Sequence, residues 1–157
     1  MIKPQIPNPQ PAIRSLVISH RSLLIVHCSL LILLFPALQP LLTSDFTCGY
    51  DNAFHLWRSV QIARCLRGGY LYPRWAPDMA HGYGFPLFVF HPPLTAYVAA
   101  LLNLAGLSWP LALNATFLLG VLLTALLTFV FARDLFGLPA GLVSAVACVY
   151  ALSLIHI

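Results

Sequence analysis

One polar island constrains everything else in this chain. Residues 45–93, DFTCGYDNAFHLWRSVQIARCLRGGYLYPRWAPDMAHGYGFPLFVFHPP, hold three of the four acidic residues (Asp45, Asp51, Asp78), four of the eight Lys/Arg and three of the six His. The sequence on either side is almost wholly apolar. Ionisable groups are costly to bury unpaired, so the island must be solvated or internally satisfied. Its flanks must be covered by lipid or by one another. Soluble domains carry roughly 25% charged residues, whereas this chain of 157 residues is 8% charged and 60% hydrophobic. The reading is an integral membrane protein.

The net charge of +4 does not make it a nucleic-acid binder. Such proteins gather Lys and Arg on one solvated face, and here the bases are sparse and flank apolar runs. No nucleic acid is expected as a partner; membrane lipid headgroups and phosphates are. Cys28 and Cys148 fall in apolar runs, where a free thiol behaves as a small hydrophobe. Cys48 and Cys65 share the island and would pair in an oxidising compartment if the geometry allowed it.

The chain divides in order. Residues 1–22 hold prolines and bases with no apolar period and read as a disordered leader. A first span covers 23–42, uncleaved because no A-x-A site follows it. The extracytoplasmic loop runs over 43–92 and contains an amphipathic helix at about 51–67, started near Asp51 and stopped by Gly68-Gly69. At about 100° per residue, Ala53, Leu56, Trp57, Val60 and Ala63 form its apolar face. Asp51, His55 and Arg58 lie opposite, so the helix should rest on a membrane surface. The aromatics between Tyr70 and Phe90 suit the headgroup level. Residues 93–157 carry spans 2–4, at about 93–107, 111–132 and from 140 onward; the first of these is short for a full crossing and reads equally as a re-entrant or tilted segment. The last run ends without flanking charge, so the chain is expected to be an N-terminal fragment. The fold class is all-α: a polytopic transmembrane helical protein of about four spans, with the helix and loop between spans 1 and 2. Asn114-Ala115-Thr116 matches a glycosylation sequon, but its place inside span 3 argues against modification.

Five short motifs occur in order: Gly49-Tyr50-Asp51, Phe54-His55-Leu56-Trp57-Arg58, the stretch from Gly69 to Asp78, Gly82-Tyr83-Gly84-Phe85-Pro86-Leu87-Phe88, and Pro92-Pro93-Leu94. This pattern resembles the bacterial integral membrane family labelled "6-pyruvoyl-tetrahydropterin synthase-related". More distantly it resembles the first extracytoplasmic loop of GT-C glycosyltransferases. The label carries no pterin chemistry for a chain with these spans. The resemblance implies a polytopic protein of the bacterial inner (plasma) membrane, with a cytoplasmic N-terminus and the island outside. It implies a full-length glycosyltransferase using a polyprenyl-phosphate-linked sugar, the fragment itself being inactive. Asp51 matches the acidic position that serves such enzymes as base or metal contact, and Asp45 is the fallback acid. Asn52 stands where a second acid is often found, which weakens the case for a metal.

The chemistry needs a base for the acceptor hydroxyl and cations for the departing phosphate. Asp51 is the candidate catalytic residue. His55, Arg58 and Arg74 are candidate phosphate or headgroup contacts, the arginines by bidentate hydrogen bonds. No cofactor is expected and no metal is assigned; a divalent ion held by Asp51, His55, His81 and His91 is a secondary reading without fixed spacing. The competing class is a non-catalytic polytopic membrane protein, a scaffold or a transporter or flippase component. A transporter would keep its ionisable groups within the spans. A scaffold would need Asp51 only as a helix cap.

Overall fold

The computed structural model describes residues 20–47 and 51–156. Its elements are α1 (His20–Leu38), a 3-10 turn (Gln39–Leu42), α2 (Asn52–Arg67), the single turn α3 (Leu87–Phe90), α4 (Leu94–Leu104), α5 (Trp109–Phe136) and α6 (Leu138–His156). Among the described residues the only β pairing is the isolated antiparallel bridge Ala76–Phe85. The all-α class therefore holds. Most of the expected leader and all of Cys48 lie outside the described residues; α1 begins at His20, slightly before the expected first span. Cys65 is a buried free thiol.

The span count is corrected. Among the described residues α5 alone, at 28 residues, is long and apolar enough to cross a membrane. The apolar stretches Cys28–Leu42 and Leu138–Ala151 fall short of that length, and α4 is shorter still. At 1.5 Å per residue, an 11-residue helix such as α4 reaches roughly 16 Å, about half the roughly 30 Å of a hydrocarbon core. Pro93 precedes its start and Gly106 follows its end, so the second apolar run cannot lengthen into a span.

Two clusters divide the molecule. In the first, Leu30, Leu34 and Leu38 of α1 meet Ala125 and Phe129 of α5 and Ala145 and Val149 of α6. The Tyr150 hydroxyl donates to the Leu33 carbonyl at 3.0 Å, tying α6 to α1. In the second, Ile62 and Ala63 of α2 pack on Ala96 and Ala100 of α4, with Ala76, Leu87 and Phe88 from the loop and Trp109 at the edge. Asn114 joins the two regions. It is 2% exposed, and its Nδ2 donates to the carbonyls of Thr43 (3.0 Å) and Asp45 (2.9 Å). A buried amide needs such partners. These contacts also remove the sequon from solvent, as its position in an apolar helix led one to expect.

The rotational setting of α2 differs from the sequence expectation. Its buried face is Ser59, Gln61, Ile62, Ala63 and Cys65; of the expected apolar face Ala63 alone is buried, Leu56 and Val60 are half-buried, Ala53 is exposed and Trp57 is 55% exposed. Small side chains let helix backbones approach closely, and Ala96, Ala99 and Ala100 of α4 are all buried. The contact selects the narrow Ser59–Ala63 side of α2 and leaves the bulky indole of Trp57 outside. Consequently His55 and Arg58 turn toward α4 and α5, not to the solvated face.

Candidate functional site

Asp51 stands at the N-cap position of α2. Its carbonyl accepts from His55 N–H at 3.0 Å, but its carboxylate makes no capping hydrogen bond. That carboxylate is exposed. The entry to the helix is instead fixed by Asn52, whose Nδ2 donates to Thr47 Oγ1 at 2.8 Å and also to the Thr47 carbonyl. The structural role foreseen for Asp51 as a side-chain cap is thus unfilled. Asn52, in the place of a second acid, holds the loop.

One and two turns on, His55 and Arg58 enter a shallow crevice shared with Ser59, Thr95, Ala96, Leu113, Thr116 and Phe117. The His55 ring meets Phe117 edge-on at 5.1 Å. The Arg58 guanidinium lies 4.0 Å from the Phe54 ring centroid, and His91 meets that same ring edge-on at 6.0 Å. Arg58 Nε is buried and has no hydrogen-bond partner among the described residues. Burial lowers the Arg58 pKa from its usual value, and the charge of Asp51 opposes that shift. Arginine stays protonated regardless. A partly buried guanidinium with an unused Nε–H has the chemistry to take an anion. The crevice is shallow and has room for little more than a water-sized group, so an anion would meet Arg58 at its mouth.

The remaining candidates lie elsewhere. Arg74 is exposed in the loop beyond the C-terminal end of α2 and does not line the crevice. Asp45 is exposed in the bend that Asn114 holds through its backbone. Among the described residues no three His, Cys, Asp or Glu side chains gather as a metal site, so the set Asp51, His55, His81 and His91 is not assembled. His81 is exposed, in a left-handed turn with Ala80 (φ 58° and 52°).

A second polar cluster was not visible in the sequence. Fully buried Gln61 donates from Nε2 to Asp78 Oδ2 (3.1 Å) and accepts at Oε1 from Asp78 N–H (3.0 Å), while Arg64 pairs with Asp78 Oδ1. The residues stand 17 and 14 positions apart, and no local signal links them. Their effect is to latch the loop onto α2. Hydrogen bonds from Arg64 and then Gln61 hold the Asp78 carboxyl below the usual carboxylate range. A depressed folded-state value means that this stabilisation is complete above the unfolded pKa, about 3.9, and is lost as pH falls through the folded value. Tryptophan emission should therefore report loop release on acidification below about pH 4, and Asp78→Asn should flatten that acid transition. An unchanged transition in the variant would assign it to other groups.

No family model matches this chain, and no solved structure matches it. A protein of Lactococcus lactis subsp. cremoris (strain MG1363), described as an uncharacterized protein, is 25% identical over 96 residues. The match takes in 61% of this chain and 16% of the relative. The chain thus spans well under a fifth of the relative it matches, whose description names no activity.

Proposed function

We propose that this chain is the N-terminal part of a membrane glycosyltransferase-like protein that uses a polyprenyl-phosphate-linked sugar donor. The observation that carries this reading is that the N-terminal half of α2 holds both Asp51, whose carboxylate makes no capping hydrogen bond, and Arg58, whose buried Nε has no hydrogen-bond partner among the described residues. Membrane embedding is supported by α5, of whose most apolar window only 22% is buried. A soluble core helix of that composition would be mostly covered.

In the proposed reaction Asp51 accepts the proton of the acceptor hydroxyl. The acceptor oxygen bonds to the anomeric carbon, and the bond from that carbon to the phosphate oxygen breaks. The electron pair leaves with the lipid phosphate, whose charge Arg58 meets at the mouth of the crevice. His55, held against Phe117, lines the same crevice. Arg74 serves the headgroup from the loop. In this reading the donor's lipid tail lies in the bilayer beside α5, and the reaction takes place at the outer face of the bacterial plasma membrane.

The test uses the full-length protein in membrane vesicles with a labelled polyprenyl-phosphate sugar. Asp51→Asn should abolish transfer at unchanged abundance, a loss of at least about 100-fold if it removes the general base. Arg58→Gln should slow transfer more than Arg58→Lys, because only lysine keeps the charge. Unchanged transfer in Asp51→Asn would remove this residue from the chemistry and favour a scaffold role for the island.

A further inference from the structure

The loop between α2 and α4 displays its aromatic side chains outward. Tyr70, Leu71, Tyr72, Tyr83 and Phe90 are each at least 67% exposed, and Trp75 is about half exposed. These groups are not loose. The Ala76–Phe85 bridge closes the turn, Gln61 and Arg64 hold Asp78, and the Tyr97 hydroxyl donates to the Leu71 carbonyl at 2.7 Å. A fixed scaffold thus exposes three tyrosines and a tryptophan, the side-chain type enriched where one end is apolar and the other wet, together with Leu71 and Phe90. Arg67 and Arg74 bracket Tyr70, Leu71 and Tyr72, are exposed, and make no ion pair among the described residues. The loop's own acid, Asp78, is committed to Arg64. The displayed face is therefore cationic as well as apolar.

The length of α5 places this face. Twenty-eight residues extend roughly 42 Å, about 12 Å more than a hydrocarbon core. At the N-terminal end Ala112, Leu113, Asn114 and Thr116 are buried against α2, α4 and the 3-10 turn, and we assign the surplus to that end. From Phe117 onward about 20 residues remain, the number a crossing requires. The α2–loop–α4 platform accordingly sits beside the end of the span, at headgroup depth.

Resting on the membrane reading given above, we propose that the face formed by Tyr70, Leu71, Tyr72, Trp75, Tyr83 and Phe90, bordered by Arg67 and Arg74, docks on anionic lipid headgroups. Aromatic rings enter the interface while the guanidinium groups meet phosphates.

The full chain in nanodiscs of phosphatidylcholine, with or without phosphatidylglycerol, provides the test. Trp75 is kept as the sole tryptophan (Trp57→Phe, Trp109→Phe). Leu123→Trp, in a chain whose native tryptophans are all Phe, reports the middle of α5. Trp75 should be quenched more by lipid brominated near the headgroup than by lipid brominated near the chain end. Its quenching by aqueous iodide should fall several-fold below that of a free tryptophan. Adding Arg67→Gln and Arg74→Gln should abolish the difference between anionic and neutral bilayers. Tyr83→Trp in place of Trp75 repeats the measurement at a site that is 87% exposed. If Leu123→Trp is quenched deep in the bilayer while both loop probes stay open to iodide, the docking surface is wrong and the span stands. If Leu123→Trp is itself open to iodide, the membrane reading fails and the docking fails with it. Shielding that rises with protein concentration and ignores lipid would assign the face to a second copy of the chain and overturn the proposal.

Discussion

Gly84→Ala is expected to unlatch the aromatic loop. Gly84 adopts φ +81°, and a Cβ there would overlap the Trp75 indole, with Cε2 at 2.6 Å and Cζ2 at 2.9 Å. The left-handed backbone costs an L side chain roughly 1–2 kcal/mol, and overpacking adds typically 1–3 kcal/mol. The indole, about half exposed, can yield only by rotating outward from its present rotamer, since its backbone is held by the Ala76–Phe85 pair (2.8 and 3.0 Å). A local loss of about 2–5 kcal/mol follows, read as chymotrypsin cleavage within 70–90 at concentrations that leave the parent intact. Gly82→Ala separates the two causes. It has the same backbone sign (φ +89°) but open space around its Cβ, so it should show the backbone cost alone. Equal sensitivity in the two variants would mean that the Trp75 contact contributes nothing.

That contact illustrates what the sequence could and could not disclose. Helix α2 was legible at both ends, from Asp51 before its first turn to Gly68-Gly69 beyond its last, because caps and stops are local signals. Its rotation was not. Ala53, Leu56, Trp57 and Val60 satisfy the helical period as well as the buried set does, and the choice is made by the alanines of α4, which lie some 30 to 40 residues downstream. The same limit applies to the site. Asp51, His55 and Arg58 could be placed on one side of a helix from spacing, yet Thr95, Thr116 and Phe117, which complete the crevice, come from other elements. Thr116 even carried a competing signal as part of a sequon. Gln61 gave no signal at all. A buried glutamine satisfied on both ends by one aspartate is visible only once the chain has folded back on itself.

The apolar runs show the complementary failure. Composition marks them as lipid-seeking but does not fix their length as helices, and α4 read as a span although it ends after 11 residues. Its alanines serve α2 and its neighbours, so the second run is spent on supporting the island. This division of labour links the two halves of the proposal. In the proposed arrangement α5 anchors, α4 spaces, and α2, packed on both, carries Asp51 and Arg58 beside the N-terminal end of α5.

The anchor itself yields the second large effect, a pair of glycine substitutions with opposite signs. Gly141 lies in α6 where that helix crosses the end of α5. A Cβ there would meet the Phe129 carbonyl oxygen at 2.9 Å, the Arg133 Cβ at 2.9 Å and Phe129 Cδ2 at 3.1 Å. A backbone oxygen cannot rotate aside, so the two helices must separate, and with them the contacts of Phe129, Ala145 and Val149. Small residues at such crossings are what permit close helix packing in lipid. Gly141→Ala should therefore cost about 1–3 kcal/mol of packing, offset only partly by the roughly 0.5–1 kcal/mol gained when Gly becomes Ala in a helix. Gly120, in the middle of α5, has nothing within 4 Å of its Cβ position. Gly120→Ala should keep the whole helix gain and raise Tm where Gly141→Ala lowers it. Thermal unfolding of the two variants in one detergent reads the difference directly. If both variants raise Tm, helix propensity alone governs α5 and α6, and the close approach at Gly141 carries no weight in holding them together.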